Sequence, residues 1–225
     1  GNGVEIGAGE GGAAEGNLVQ GNLIGLNASG MTLAPNDYSG VMIYDASLNT
    51  IGGTEAGAGN VIAGNGQNGI TVQAVNGTAL SNTIQGNLIG TYQDGSFTDP
   101  DEVPGSGDDP GNRLLGVGLE SASGNQIGGA TLAARNIIVG NALGGIYVFR
   151  PGATANQIQG NFIGLLADQT PAGNGGIGIW ISQGSRNLIG GTGAATNTIA
   201  FNGDVGVLIA DNAISNTLQG NTIYL

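Results

Sequence analysis

The residues of this chain that could do acid–base or metal chemistry are few, and most of them are carboxylates. The sequence holds 16 Asp and Glu residues against 4 arginines, and it contains no Cys, His or Lys. The chain therefore has no thiolate nucleophile and no disulfide, and it lacks the commonest general base and transition-metal ligand. Acid–base catalysis or metal binding by this chain would therefore depend on carboxylates, which can act as general acids and bases or as ligands of a hard cation.

Carboxylates are most concentrated in an acidic insertion at 91–115, TYQDGSFTDPDEVPGSGDDPGNRLL. Its members are Asp94, Asp99, Asp101, Glu102, Asp108 and Asp109. Because Ca²⁺ prefers carboxylate oxygens, the insertion is a candidate calcium site. Its spacing fits neither an EF-hand nor the glycine-rich calcium repeat, and surface turns also use Asp-Gly and Asp-Pro steps. Calcium binding and a solvated loop both stay open.

The strands that would position such residues are predicted from a repeat of three short apolar sequence strings. The first is Gly followed by alternating apolar residues, such as GVMI at 40–43. The second is Asn-x-apolar-x-Gly, such as NTIQG at 82–86, and the third resembles NLIG at 87–90. They always occur in this order, and after a partial earlier turn the first string opens at Gly40, Gly69, Gly116, Gly145, Gly176 and Gly206.

This periodicity predicts an all-β solenoid of about seven turns, with three short strands in each turn. Single turns cannot bury their apolar residues, but stacked turns form a continuous core, and strands of successive turns are then parallel. We expect one solenoid domain over 1–225, about 30 to 35 Å long at a strand spacing of about 4.8 Å. Both ends read as internal strands, so we expect a segment of a longer chain.

The recurrent asparagines are predicted to shape the corners of the coil. Asn tolerates left-handed backbone and can hydrogen-bond locally. Stacked Asn side chains can also form amide ladders, as they do in other stacked β structures. Ligand binding by these asparagines is the less favoured alternative. The second corner alternates between a tight QGN and a longer GGT-type connection, so the repeating unit is a pair of turns.

The outward face of the first strand carries the remaining candidates. Val41 and Ile43 should point inward, so Tyr44 points outward. The equivalent positions in other turns read Gln73, Glu120, Phe149 and Trp180, with Tyr147 in the neighbouring column. The aromatic residues suggest a platform for sugar rings. The alternative is a second apolar cluster buried beneath the long loops.

Glu120 and Asp45 are weak catalytic candidates on this face. Two turns separate them, or roughly 9.6 Å along the axis at about 4.8 Å per turn. Inverting glycosidases hold two carboxyl groups about 6.5–9.5 Å apart. Arg150 is the single arginine that falls on this face, and it could hold an anionic sugar. With no Lys or His to abstract a proton, we favour a non-catalytic role.

The strings NxIxGNxIG and NxIGGT resemble the repeats of right-handed parallel β-helix proteins in the pectate-lyase-like superfamily, among them large secreted bacterial repeat proteins. The resemblance covers essentially the whole chain and implies a right-handed coil. The superfamily includes lyases, glycosidases, epimerases, adhesins and passive stalks, and its enzymes usually place substrate along the first-strand face. The paired Asp and His-Gly motifs of polygalacturonases and the Asp-Pro-His of mannuronan epimerases are absent here.

Charge and hydropathy limit the partners. The formal net charge of −12 should repel nucleic acid and anionic lipid, and no apolar run approaches the roughly 18 residues of a membrane span. We expect a structural or adhesive rod of a secreted or cell-surface protein, pairing end to end with copies of itself into filaments. The alternative is a carbohydrate-binding or carbohydrate-active module that binds extracellular glycan. A third hypothesis is an adhesin whose third-corner loops contact a protein receptor.

Overall fold

The computed structural model describes residues 1–9 and 12–225, and their strands form three sheets, named here in the order in which each turn visits them. The first sheet contains β1 (Val4–Gly7), β4 (Val41–Tyr44), β7 (Ile70–Gln73), β10 (Leu115–Glu120), β13 (Gly144–Phe149), β16 (Ile177–Ser182) and β19 (Val207–Ala210). The second contains β2 (Leu18–Val19), β5 (Thr50–Gly52), β8 (Thr83–Gln85), β11 (Gln126–Gly128), β14 (Gln157–Gln159), β17 (Leu188–Gly190) and β20 (Thr217–Gln219). The third contains β3 (Leu23–Ile24), β6 (Val61–Ile62), β9 (Leu88–Ile89), β12 (Ile137–Ile138), β15 (Phe162–Ile163), β18 (Thr198–Ala200) and β21 (Thr222–Tyr224).

Each sheet has seven strands, and every strand pairs in parallel with the strand three elements earlier or later. One turn therefore contributes one strand to each sheet, and the chain is a right-handed parallel β-helix of about seven turns, as predicted. Two short 3₁₀ turns, Leu132–Ala134 and Gly193–Ala195, lie in the longer second corners. No helix in the described ranges is both long enough and apolar enough to cross a membrane.

The core is a set of apolar columns that run along the axis. The inward residues of the second sheet that are fully buried are Ile51, Ile84, Ile127, Ile158 and Ile189. Those of the third sheet are Ile62, Ile89, Ile138, Ile163 and Ile199. Burying one such side chain stabilises the fold by roughly 1.5–3 kcal/mol. Most of these side chains are buried only because another turn lies above or below them.

Three ladders of asparagine, buried in the interior turns, follow the corners. In each ladder, the backbone N–H and side-chain amide of most members donate to the side-chain oxygen of the next turn's member. The first runs through Asn17, Asn49, Asn82, Asn125, Asn156, Asn187 and Asn216. The second runs through Asn22, Asn60, Asn87, Asn136, Asn161, Asn197 and Asn221. The third runs through Asn36, Asn65, Asn112, Asn141, Asn174 and Asn202.

The ladders confirm the predicted stacking of Asn side chains, but the backbone explanation was wrong. No ladder Asn among the described residues has a positive φ. In the first ladder it is the residue before each Asn that is left-handed, for instance Leu48 at φ 60° and Ala155 at φ 54°. Asn is needed here because its amide can donate and accept at once.

Two further sequence regularities support the ladders, and neither was used in the prediction. A small residue lies three positions before each first-ladder Asn, and its carbonyl accepts the side-chain amide of the Asn in the next turn. Ala46, which precedes Asn49, accepts in this way from Asn82 at 3.0 Å. From β4 onward, Asn also lies four positions before the glycine that opens each first-sheet strand, in N-x-x-x-G. Asn174 is thereby matched to Gly178.

The predicted opening glycine Gly176 was therefore wrong by two residues. Ile146 pairs with Ile179, which places Gly178 beside Gly145. A Cβ on Gly145 would lie 2.6 Å from the Gly178 carbonyl oxygen and from Ile163 Cγ2. Glycine is required at this position because the third-sheet isoleucine fills the space beneath it.

The long third connections pack against the outer surface of the third sheet. The acidic insertion directs Phe97 onto a cluster with Ile137, Val139 and Phe162. Tyr92 packs near Leu26 and Val61 in a second cluster. The third sheet is therefore covered on both sides, by the core and by the loops.

Candidate functional site

The outward columns of the first sheet bring together most of the predicted ligand-binding residues. In one column, Tyr44 pairs with Gln73, Gln73 with Glu120, and Glu120 with Phe149. The next position in this column is Ser182, because Phe149 pairs with Ser182. The prediction that Trp180 continues this column was wrong. The cause is the two-residue shift at Gly178.

Trp180 instead pairs with Tyr147 and forms a stack of three aromatic rings. The Tyr147 and Trp180 ring centroids are 4.4 Å apart with planes 17° apart. The Tyr147 and Phe149 centroids are 4.6 Å apart with planes 23° apart. Tyr147 is therefore the ring shared by both stacking contacts, and the stack is one continuous aromatic surface on the outward face of the first sheet.

The aromatic residues of the stack are half-buried, and none belongs to the clusters that the long loops form. Tyr44 is also half-buried, but Gln73 and Glu120 separate it from Phe149 along the column. The Trp180 indole nitrogen is buried and has no acceptor among the described residues. The structure therefore brings three of the four predicted aromatic residues together and leaves Tyr44 three turns away from Phe149.

Both carboxylate oxygens of Glu120 are occupied. The Gln73 amide donates to one oxygen at 2.7 Å, and the Arg150 guanidinium forms an ion pair with the other. The Glu120 side chain is 17% exposed, whereas that of Arg150 is 60% exposed. The predicted carboxylate and arginine are therefore neighbours, and in this arrangement they neutralise each other.

Asp45 is directed into a local turn and is not presented to the face. One of its oxygens accepts the Val75 backbone N–H at 2.7 Å and the other accepts the Asn76 N–H at 3.2 Å. Partial burial raises the pKa of Asp45, but hydrogen bonds from the backbone of 75–77 and from Tyr44 outweigh it and lower that pKa overall. This carboxylate fixes the loop after β7. The sequence could not show this, because Asp45 adopts a left-handed backbone at φ 49° that turns its side chain out of the strand's alternation.

The acidic insertion divides its carboxylates into two groups. Asp99, Asp108 and Asp109 each place an oxygen within 4.8 Å of the others. Asp94, by contrast, accepts from the backbone and hydroxyl of Ser96 in a local turn, and Asp101 accepts the Val103 N–H. Glu102 lies outside the converging trio. Half of the predicted ligand set is thus close enough to share one cation.

Burial and the proximity of like charges raise the pKa values of two members of the trio. Burial chiefly raises the pKa of Asp109, with the charge of Asp99 adding to the effect and hydrogen bonds from Gly111, Ser106 and Gly105 opposing it. Burial also raises the pKa of Asp99, together with its hydrogen bond to Asp101 and the charges of Asp101 and Asp108. The trio therefore disfavours full ionisation in the absence of a cation, which is the electrostatic condition under which a divalent ion would bind.

No protein-family model matches the chain, and no curated protein matches it in sequence. Among solved structures, it is similar to the crystal structure of a mutant of the periplasmic alginate epimerase AlgG. The two are 15% identical, with a TM-score of 0.45, and the match covers 82% of this chain and 47% of that one. The chain spans about half the length of that structure, and the likeness carries no argument about activity.

Proposed function

We propose that this chain is a non-catalytic structural or adhesive rod segment of a secreted or cell-surface protein. The observation that carries the proposal is the set of three Asn ladders, which run through nearly every turn. Asn is the most abundant buried polar residue of the chain, and in the ladders its side chain connects each turn to the next. A ladder of this kind gives a stiff rod whose length scales with the number of turns.

The candidate catalytic groups support the same conclusion. Asp45 is bound by two backbone N–H groups, and Glu120 is paired with Gln73 and Arg150. Neither carboxylate is free to act on a substrate without breaking contacts that hold the structure.

End-to-end assembly is the finer part of this proposal. Apolar side chains beside unpaired strand edges favour strand addition. We propose that the rod extends by end-to-end contact with copies of itself.

Electron microscopy and sedimentation of the purified chain over a wide concentration range test the proposal. We expect linear particles that lengthen as concentration rises. Replacing Leu218 and Ile223, inward-facing residues that are each 44% exposed, with Lys should abolish lengthening, and circular dichroism of the variant checks that the β fold is retained. Monodisperse single rods at the highest concentration would contradict end-to-end assembly.

A glycan-binding module is the second candidate function, favoured by the Phe149–Tyr147–Trp180 stack beside Glu120 and Arg150. The rings of the stack and the paired charges would contact a glycan along the first sheet. A glycan array compares the native chain with Trp180→Ala, with Tyr38→Ala as a control at an exposed aromatic residue outside the stack. Binding that Trp180→Ala alone abolishes would establish this function, and absence of binding to every glycan would remove it.

A further inference from the structure

A groove outside the third sheet lies between two of the long connections, and all of its lining residues belong to interior turns. Its volume is about 460 Å³, a size that suits a small ligand or one large side chain. One wall comes from the acidic insertion, and the other comes from the connections that precede and follow β16–β18. The lining includes Phe97, Asp99, Glu102 and Pro104 on the first wall and Pro171 and Phe201 on the second.

The groove lies where the coil departs from its own repeat. At two corners after third-sheet strands, a left-handed glycine is covered by a side chain of the preceding long connection. Leu33 lies over Gly64 in this way, and Phe97 lies over Gly140. The equivalent corner after β18 has Phe201 in place of glycine, with φ at 57°, and its ring is half-buried at the groove. A bulky residue with positive φ is strained, and such strain is concentrated at functional sites.

The groove contains carboxylates without a cation of its own. Glu102 is exposed at the rim, and Asp99 is half-buried and accepts the Val103 N–H at 3.0 Å on one oxygen. The ion pairs among the described residues involve Asp37 and Glu120, so neither groove carboxylate is paired with an arginine. A cation that enters the groove would therefore meet unpaired negative charge beside two phenylalanine rings, and both attract cations.

The same apolar surface already holds one guanidinium group. The Arg135 guanidinium carbon lies 3.8 Å from the centre of the Phe162 ring, and its Nε donates to the Gly160 carbonyl at 3.0 Å. Phe162 belongs to the cluster against which Phe97 and Phe201 pack. A guanidinium is thus a group that the rings of this cluster accommodate, and its planar fork also matches carboxylates.

We propose that the groove between the acidic insertion and Phe201 binds an arginine side chain of a partner protein. The guanidinium stacks on the phenylalanine rings and donates to Asp99 and Glu102, while the aliphatic part of the side chain packs on Pro104 and Pro171. This inference rests on the adhesive side of the proposed function and names the chemistry that the rod recognises. A lysine ammonium is a strongly hydrated point charge and fits the same combination of groups less well.

A nuclear magnetic resonance titration with N-acetyl-arginine amide tests the site at neutral pH, low salt and without divalent cations. We expect the backbone signals of 97–103 and 172–175 to shift and to saturate together. N-acetyl-citrulline amide has nearly the same shape without the charge and should leave these signals in place. N-acetyl-lysine amide should bind at least about threefold more weakly than the arginine amide.

Three variants test the carboxylates. Asp99→Asn and Glu102→Gln should each weaken binding of the arginine amide by about two- to fivefold, the usual range for an ion pair that solvent reaches. Asp94→Asn removes an equal charge from the same insertion, but Asp94 lies in its local turn with Ser96 and should not affect binding. Circular dichroism of each variant checks that the β fold is retained. Equal losses in all three variants would show that the net charge of the insertion attracts the ligand, and would overturn the site.

The remaining outcomes identify the ligand. Equal shifts with the citrulline amide, or stronger binding of choline than of the arginine amide, would overturn the guanidinium assignment. If the groove signals shift with protein concentration alone and Arg186→Gln abolishes that shift, the arginine comes from a second copy and a separate partner is overturned. Filaments of a native chain that ignores the arginine amide overturn this inference and leave the rod. Specific binding by a chain that never assembles supports this inference and removes end-to-end assembly.

Discussion

Asn82 directs two donors, its backbone N–H and its side-chain amide, onto the single side-chain oxygen of Asn125, at 2.8 and 3.0 Å. Asn125 in turn donates to Asn156 and to the Ala79 carbonyl. All of these asparagines are fully buried. One side chain therefore satisfies polar groups on three successive turns, which makes the ladder cooperative along the axis.

Asn125→Ala is expected to lower the free energy of unfolding by about 3 kcal/mol or more, because each buried group left without a partner costs about 1–3 kcal/mol. The substitution deprives the Asn82 backbone N–H and one Asn82 amide hydrogen of their acceptor, whereas the Ala79 carbonyl keeps its second donor, the Ser123 N–H. Chemical denaturation followed by circular dichroism measures the effect.

Asn17→Ala is the matched control for the ladder, because Asn17 belongs to the same ladder but is exposed at the N-terminal end. Its loss should cost well under half as much. Equal effects for the two variants would show that the ladder contributes no more in the interior than at its end.

Gly145→Ala is expected to destabilise the rod by about 1–3 kcal/mol, the usual cost of overpacking. The new methyl group would lie 2.6 Å from the Gly178 carbonyl oxygen and from Ile163 Cγ2, so strand or core must shift. Gly7→Ala is the control, because its nearest contact would be an ordinary 3.8 Å. Thermal unfolding compares the two, and an unchanged Gly145→Ala would contradict the corrected alignment of the first-sheet glycines.

The fold could be predicted from the sequence, but the register of one first-sheet strand, β16, could not. Apolar alternation fixes which side chains face the core, and a two-residue slip leaves every side chain on the same face. In NGGIGIWI both Gly176 and Gly178 precede an isoleucine, so alternation allows either alignment. The N-x-x-x-G spacing from Asn174 resolves the choice. That slip misplaced Trp180 and hid the three-ring stack.

The candidate site was less predictable than the fold, since its residues lie at corners. The direction of Asp45 depends on a left-handed backbone that carries no signature in an aspartate. The convergence of Asp99, Asp108 and Asp109 depends on how a long loop folds back across the coil. Strand periodicity contains no information about either, so sequence identified the residue types and not their partners.

The acidic trio should make the rod more stable as the pH falls from neutral towards about 4. Asp99 and Asp109 have raised pKa values when folded, so the native state binds more protons than the unfolded state between the ordinary value of 3.8 and the raised ones. Stability then decreases as pH rises through that window. Below this pH window, the carboxylates whose pKa values are lowered in the folded state, among them Asp45 and Asp168, make the rod less stable as the pH falls further.

The variant Asp109→Asn should flatten this rise in stability, because the amide cannot ionise. Asp109 accepts the Ser106 N–H on one oxygen and the Gly111 N–H on the other, and the single oxygen of Asn keeps one of these two hydrogen bonds, so the variant should also be less stable at every pH. Melting temperatures of both proteins between pH 4 and 7.5 supply the comparison. A variant that retains the full pH response would show that other groups are responsible.

Calcium is expected to act on the same trio as protons do. At neutral pH the three carboxylates repel one another, and a divalent cation that accepts one oxygen from each would relieve the repulsion and raise the melting temperature. Asp108→Asn removes one ligand and should abolish most of that rise. Asp94→Asn removes an equal charge from the same insertion but outside the trio, where Asp94 binds Ser96, and should leave the response intact. Magnesium, which demands tighter octahedral geometry, should stabilise less at equal concentration. If both variants reduce the response equally, the ion acts on the net charge of the insertion and the trio is not its site.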